Sequence, residues 1–470
     1  MGPVPPKKTI SQEAFDEVVT ENMEDLGMDP AEALQDAIDT LTLQGVDLSG
    51  IITCVPGETS VKDNPVLQSF EGLKHFSSDS KSLDERELSE LAALLDKLTD
   101  LCGGDNTGNA AIAARNGGVE LVASIFSKVS GCGNDKVITS AVKALVALLR
   151  VSSPTDLRSA ETFQKCGGPG IIISILRQDS QNLELLNGCF SVIAAAATGN
   201  EILKESFVNL KVDELIMNVL NGPNRSNVAS VYDAIRVLLS SDDNRVAASQ
   251  VFGYARNFAK IGIAEALVDC LHEGLTSPSL VSACVALKAV AVNDEICRSV
   301  ADKGGIDAVL RCIDDSGEQG NKAVARTCCS LLSKLAGSDQ NKSTIVEKGG
   351  MDRLIRLSAR FADDPSVSQE VMYIISVLCL RSPEHASCAI EAGAGDLAVQ
   401  AMQKFPGAQQ LQRNACLMIR NLVVRNPENR KILLGNGIEK LIRRAKENNV
   451  NCKDAATDAL RDLGLDNYNL

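Results

Sequence analysis

The side chains that could carry out acid–base, nucleophilic or metal chemistry are scattered along this sequence. Its three histidines, His75, His272 and His385, lie far apart, and none of the 15 cysteines falls in a C-x-x-C pair or another zinc-ligand spacing. Phosphate-binding loops of the G-x-x-x-x-G-K-[ST] type, G-x-S-x-G nucleophile elbows and H-E-x-x-H motifs do not occur. The sequence therefore predicts a protein that is not an enzyme and that needs no metal or cofactor.

A polar stretch at 242–260 holds side chains suited to recognising another molecule. Charged, amide and aromatic groups are mixed there: Arg245, Tyr254, Arg256 and Asn257. A loop with such residues on a rigid scaffold is a common place for function, so we predict a partner-binding site in this insert. The alternative interpretation is that its aromatic residues, Phe252 among them, only fill a widened joint between structural repeats.

The elements that must position these residues form a repeat. A glycine-rich turn followed by an apolar helical run recurs eight times, as at Lys303-Gly304-Gly305 and Lys348-Gly349-Gly350, and five of the seven steps between turns fall within 43–45 residues. A glycine is expected where one helix turns sharply into the next, because it adopts a positive φ at little cost. The third turn, at Leu210-Lys211-Val212, keeps the spacing without the glycine.

Each repeat contains a short helix before the turn, a helix of about ten residues after it and a long apolar third helix. The segment QRNACLMIRNL at 412–422 resembles helix 3 of the armadillo repeat, and the resemblance covers about 85–470. It implies an all-α fold, a right-handed armadillo-type superhelical solenoid of about eight repeats, in which stacked repeats bury a continuous core. It also implies a protein–protein interaction scaffold with no catalytic motif to transfer.

The resemblance implies a binding surface as well, because helix 3 lines the concave face of such arrays. Basic and amide residues recur on the predicted third helices: Lys143, Arg236, Lys288, Lys334, Arg420 and Asn421. A row of cations along a groove favours an extended acidic or phosphorylated segment of a protein partner. The alternative is that these side chains are ordinary solvated positions.

A nucleocytoplasmic transport or chaperone-type adaptor is the second functional class. In importin-type arrays, helix 3 carries a ladder of Trp and Asn that holds a basic peptide. This sequence has no Trp and matches the Asn position only at Asn421, while Lys334 and Val377 stand at equivalent points. A lysine there would repel a basic ligand, so the missing ladder favours the interaction scaffold.

Charge divides the chain into different parts. The formal net charge is −14, and residues 1–100 hold 21 acidic against 7 basic residues, whereas the remainder holds 40 of each. Two acidic amphipathic helices are predicted at 11–26 and 29–44, with Ser11 and Asp29 as N-caps. We therefore divide the chain as follows: an acidic helical N-terminal segment at 1–52, a linker at 53–82 and the repeat array at 83–470.

The acidic segment is itself a candidate ligand. Residues 401–450 carry ten basic against three acidic residues, and the helix-3 row is basic too. We therefore hypothesise that the first 50 residues fold back onto the groove or onto the 401–450 end. The alternative is that both charged regions serve solubility.

Composition excludes several other partners. Aromatic residues make up 3% of the chain, which argues against binding single-stranded nucleic acid by base stacking, and the acidic balance disfavours nucleic acid and anionic membranes. No apolar run approaches the roughly 20 residues that a membrane-spanning helix needs. Many unpaired thiols and an N-terminus without a signal peptide predict a cytoplasmic and/or nuclear location.

Overall fold

The computed structural model describes residues 8–56, 64–78, 83–104, 107–150, 158–178, 182–243, 245–247 and 249–466. Over these residues the chain forms 28 α-helices, and its strands are one parallel pair of two residues each, Lys8–Thr9 (β1) beside Val46–Asp47 (β2). The all-α prediction is confirmed. None of the described helices is long and apolar enough to cross a membrane.

The chain divides into two compact units. Unit 1 consists of residues 1–215 and 240–248, and unit 2 consists of residues 216–239 and 249–470. The short segment 240–248 thus packs within unit 1 although the residues on both sides of it in sequence belong to unit 2.

The acidic N-terminal segment folds as two helices, α1 (Gln12–Glu24) and α2 (Pro30–Leu43). The Ser11 hydroxyl accepts from the Ala14 N–H, and Asp29 caps α2 in the same way, which confirms both predicted N-caps. Their apolar faces pack on each other around a small core: Phe15, Val19, Ala33, Ala37, Leu41 and Ile51. Most of the carboxylates of the two helices are therefore left at the surface.

Eight repeats of three helices follow, and the first of them lie in unit 1. Each contains a short helix 1, a helix 2 and a long helix 3. The first repeat consists of α5 (Thr107–Arg115), α6 (Gly118–Val129) and α7 (Asp135–Leu149). The second consists of α8 (Arg158–Lys165), α9 (Gly168–Leu176) and α10 (Leu183–Ala197). Helix 1 of the third repeat, α11 (Glu201–Asn209), also lies in unit 1. The division between the units falls inside the next helix, α12 (Val212–Asn221).

Unit 2 continues the same pattern from the third helix of that repeat to the end of the array. Its consecutive third helices pack on one another, which buries the apolar residues of each repeat against its neighbours. The helices are α13 (Ala229–Leu238); α14 (Ser249–Lys260), α15 (Ile263–His272) and α16 (Leu280–Val290); α17 (Asp294–Asp302), α18 (Gly305–Glu318) and α19 (Lys322–Leu335); α20 (Asp339–Glu347), α21 (Gly350–Arg360) and α22 (Pro365–Cys379); α23 (Pro383–Glu391), α24 (Ala394–Lys404) and α25 (Gln409–Val423); and α26 (Pro427–Gly435), α27 (Ile438–Asn448) and α28 (Lys453–Asp462).

The segment predicted as a linker contains a helix, α3 (Pro65–Ser78), so that prediction is wrong for these residues. Helix α3 packs on α4 (Glu85–Cys102) and on α6, while α4 packs on α7. The two helices thus take the places of helix 2 and helix 3 in a partial repeat that covers the apolar end of the array. Its buried residues have helical spacing that the Ser- and Gly-rich composition concealed: Val66, Phe70, Leu73 and Phe76. The rest of the predicted linker, at 57–63 and 79–82, lies outside the described residues.

The predicted turns are present at all eight positions. In seven of them the residue before helix 2 is a glycine with a left-handed backbone, such as Gly349 at φ +73°, and in the third repeat it is Lys211 at φ +65°. The second glycine of a pair has a separate role. A Cβ at Gly350 would lie 2.6 Å from the Ile345 carbonyl oxygen, so helix 1 leaves no room for a side chain there.

Candidate partner-binding surface

A pocket of about 370 Å³ opens on the third helices of unit 2. Three consecutive repeats contribute to it, through Lys288 on α16, Lys334 on α19 and Tyr373 on α22. The start of α17 closes one side with Asn293 and Asp294. We call this site the helix-3 pocket. It brings together two of the six cations and amides that the sequence placed on third helices.

The two lysines of the helix-3 pocket have no carboxylate partner among the described residues. The Lys288 ammonium donates to the Ser330 hydroxyl at 2.6 Å, and Lys334 makes no side-chain hydrogen bond or ion pair in the described part of the chain. Ser330 and Lys334 are four residues apart on α19 and so share one face, which also carries the exposed Arg326. The pocket therefore lies beside a row of basic side chains that form no ion pair with an acidic side chain of the described residues.

The other predicted cations of the third helices are paired within their own unit. In unit 1, Lys143 meets Glu184 at 2.5 Å. In unit 2, Arg236 lies 3.4 Å from Asp233. Arg420 contacts Asp458 at 3.2 Å and Asp462 at 3.3 Å, both on α28. Of the five predicted cations, only Lys288 and Lys334 therefore lack a carboxylate partner among the described residues: the next repeat supplies the carboxylates for Lys143 and Arg420, and the same helix supplies the one for Arg236.

Asn421, the single match to the Asn position of an importin-type ladder, is also engaged. Its amide donates to the Ser376 carbonyl at 2.9 Å and to the Ser376 hydroxyl at 3.0 Å. It thereby connects α25 to α22 and has no N–H left for a ligand. The Asn421 side chain therefore joins two third helices of the protein and is not free to hold a peptide as in an importin-type array.

Comparison with known proteins identifies the family. A model of the ARMC6 family matches residues 67–468, and a model of the armadillo repeat-containing protein 6 N-terminal domain matches residues 7–80. The chain belongs to the armadillo repeat-containing protein 6 family.

Relatives of this family are similar over most of the chain. The human armadillo repeat-containing protein 6 is 28% identical over 393 residues, which cover 81% of this chain and 75% of the human protein. The Drosophila melanogaster homologue is 23% identical over 391 residues, covering 82% of this chain and 80% of the fly protein. A crystal structure of an engineered protein shares the fold at a TM-score of 0.61 and 16% identity, covering 86% of this chain and 97% of that one. The armadillo-type solenoid predicted from the repeats is thus confirmed.

The insert at 242–260 separates into two parts in this family member. Residues 242–247 belong to unit 1, where Arg245 contacts both oxygens of Asp243 at 2.9 Å. Residues 249–260 form α14 in unit 2, with Tyr254 buried and its hydroxyl accepting from Gln250. Two further predicted residues lie exposed on α14: Arg256 and Asn257. The four side chains that the sequence grouped in one site are therefore distributed over two units.

The two aspartates at the start of the insert, Asp242 and Asp243, belong to a buried cluster of charged residues. Lys204 on α11 is fully buried, and its ammonium donates to Asp242 and to the Ser240 carbonyl and lies 3.6 Å from Glu201. Asp243 accepts the Glu201 N–H at 3.0 Å. Burial raises the pKa of Glu201, with Lys204 acting in the opposite direction, and hydrogen bonds from Arg245 lower the pKa of Asp243. These residues hold segment 240–248 in unit 1.

Eleven of the fifteen cysteines are buried, whereas Cys132 and Cys166 are exposed. Burial raises the pKa of Cys189 to about 12, and it raises the pKa of Cys297 beside the helix-3 pocket against the opposing effect of Lys334. Thiols in such surroundings stay protonated and behave as small apolar groups. Within the described residues, no group of three or more His, Cys, Asp or Glu is placed to hold a metal ion.

Several residues that line the helix-3 pocket were not predicted from the sequence, among them Tyr373 and Asn293. Tyr373 retains 43% exposure, high for an aromatic residue. The repeat period offered a signal for it, since 330, 373 and 417 are 43 and 44 residues apart and occupy equivalent positions on third helices. Asn293 could not be linked to the pocket in this way, because it lies in the turn before α17 and reaches the third helices only through packing.

Proposed function

We propose that this chain is a non-enzymatic protein–protein interaction scaffold that binds an acidic segment of a partner in the helix-3 pocket. One observation carries the proposal: Lys288 and Lys334 remain without carboxylate partners on a surface where the other predicted cations are paired. An extended segment fits a surface formed by parallel third helices, because each repeat can contact a few residues of it. Exposed Tyr373 supplies contact area at low entropic cost.

Affinity purification with mass spectrometry tests the proposal. The full chain and a Lys288→Glu/Lys334→Glu variant are expressed in native cells, and the set of recovered proteins is compared. Charge reversal is expected to remove the partner that binds the pocket, since two attractive contacts become repulsive. Lys440→Glu is the control, because Lys440 is an exposed lysine of unit 2, like Lys288, but lies on a helix 2, α27. Equal recovery of every partner by the variant and the control would contradict the proposal.

The acidic N-terminal segment of a second copy of the chain is another candidate ligand for this pocket. Its two helices bury their apolar faces on each other and leave their carboxylates at the surface. Arg115 on α5 holds the segment through the Ile10 carbonyl at 3.3 Å, so backbone rather than carboxylates makes this contact. A zero-length carboxyl–amine cross-linker applied to the full chain is expected to join residues 11–47 of one copy to Lys288 or Lys334 of another copy. If such links do not form at low salt, we reject this ligand and retain an acidic segment of another protein.

The alternative, a transport adaptor for basic peptides, has less support. A basic ligand would meet the unpaired Lys334, and the amide of Asn421 is already used between helices. The scaffold therefore remains the preferred function, with cytoplasm and/or nucleus as its proposed location.

A further inference from the structure

We propose that the helix-3 pocket recognises a phosphorylated serine or threonine of the partner, in preference to an unmodified acidic residue. This inference rests on the proposed function, because it names the chemical group that the same pocket binds. It follows from the charge and from the hydrogen-bond donors that the pocket leaves unused.

The charge of the pocket suits a dianion. Lys288 and Lys334 provide two positive charges, and the one carboxylate among the lining residues, Asp294, is paired with Arg298 at 2.9 Å. A phosphoserine carries about −1.5 to −2 charges at neutral pH, whereas a glutamate carries one. A phosphate therefore balances both lysines, while a carboxylate leaves one of them without a counter-charge.

The hydrogen-bond donors lead to the same conclusion. The Lys288 ammonium donates one N–H to Ser330, whereas the Lys334 ammonium and the Tyr373 hydroxyl donate to no described residue. Asn293 accepts the Ile296 N–H with its side-chain oxygen at 2.9 Å, which leaves its amide hydrogens for another acceptor. Four side chains thus retain donors around one pocket. The three terminal oxygens of a phosphate can accept more of these hydrogen bonds than the two oxygens of a carboxylate.

The apolar part of the pocket adds a preference for the neighbouring residue. Val377 lies one helical turn beyond Tyr373 on α22, and Ala291 and Val292 line the opposite side. An apolar side chain next to the phosphorylated residue would bury its surface there, whereas a charged one would lose hydration without gaining a partner. The expected ligand is therefore a phosphoserine or phosphothreonine flanked by an apolar residue.

Oriented peptide libraries test this inference on the full-length protein. Three immobilised libraries share random flanking positions and differ at the centre, which is phosphoserine, glutamate or serine. We expect at least tenfold greater retention on the phosphoserine library than on the glutamate library, with apolar residues enriched beside the centre. Lys288→Gln and Lys334→Gln should each reduce that retention at least fivefold, and the control Lys440→Gln should leave it unchanged.

Three other outcomes would each contradict a different part of this inference. Equal retention on the phosphoserine and glutamate libraries overturns the phosphate preference but leaves the scaffold proposal intact if the charge-reversed variant still loses its cellular partner. Unchanged retention in the two lysine variants shows that phosphopeptides bind elsewhere and also overturns the inference. Retention by vesicles that contain phosphoinositides, without retention by the phosphoserine library, would assign the lysines to a lipid headgroup and overturn it as well.

Discussion

Two lysine sites of this chain differ in almost every physical respect. Lys204 in unit 1 is fully buried on α11 and meets Asp242, Glu201 and a backbone carbonyl. Lys334 in unit 2 lies partly exposed on α19, and no described residue accepts a hydrogen bond from its ammonium. Both belong to helices of the same repeat architecture, so the difference arises from what surrounds each ammonium.

The comparison shows how the array separates structural charge from charge available to a partner. A buried ammonium must be compensated inside the protein, because its transfer from water is costly without partners. An exposed ammonium is compensated by water and can exchange that water for an anion. The insert at 242–260 supplies carboxylates for the first purpose, and the helix-3 pocket retains lysines for the second.

The substitution with the largest expected effect is Lys204→Met. It leaves Asp242 and the buried Glu201 without their cation, so the free energy of unfolding is expected to fall by about 3 kcal/mol. Urea denaturation followed by circular dichroism measures the loss. A loss below about 0.5 kcal/mol, the range of ordinary surface substitutions, would show that Lys204 is not held as the structure indicates.

Removal of one carboxylate from the same cluster is expected to have a smaller, pH-dependent effect. Since hydrogen bonding from Arg245 lowers the folded-state pKa of Asp243, its stabilisation is complete above the unfolded pKa of about 3.9 and disappears as the pH falls through the folded value. Asp243→Asn is therefore expected to cost about 1.5 kcal/mol at pH 7 and progressively less below pH 4.

Denaturation curves of the wild type and Asp243→Asn between pH 7 and pH 2 provide this measurement. Glu201 titrates in the opposite sense, since burial raises its pKa, and the charge of Asp243 adds to that rise. The comparison is therefore repeated in a Glu201→Gln background, where the titration of Glu201 makes no contribution. A difference in unfolding free energy that stays constant over the whole pH range would contradict the assigned role of Asp243.

The smallest expected effect on stability is that of Lys334→Met. Because the ammonium has no partner among the described residues, its removal should change the free energy of unfolding by less than about 0.5 kcal/mol. The same variant is expected to lose binding to the acidic partner, so urea denaturation and partner recovery are measured on one preparation. A large loss of stability would mean that Lys334 serves the fold, which would remove the contrast with Lys204.

The sequence predicted the repeat architecture better than the individual contacts. Glycines such as Gly349 recur with a fixed period because each repeat makes the same turn, and this signal is local. Helix α3 was missed, because its four buried apolar residues are spaced among Ser, Gly and charged residues that are typical of a linker. A helix of this kind is stabilised by its neighbours α4 and α6 more than by its own composition.

The candidate site was predicted only in part. Lys288 and Lys334 were identified because they recur on third helices, and the structure places both in one pocket. The same pattern also selected Lys143 and Arg420, whose carboxylate partners lie 41 and 38 or more residues away in the chain. Whether two residues so far apart in the sequence meet depends on how neighbouring repeats pack. A sequence pattern therefore cannot distinguish a paired cation from an unpaired one.

Local periodicity by itself determined the all-α class, the number of turns and the positions of the third helices, because each depends on residues within one repeat. Only the tertiary structure decided which charges are neutralised, that residues 240–248 fold into unit 1, and that Asn293 and Tyr373 join two lysines around one pocket. These features depend on contacts between repeats some 40 residues apart, where small differences in side-chain placement determine whether two charges meet.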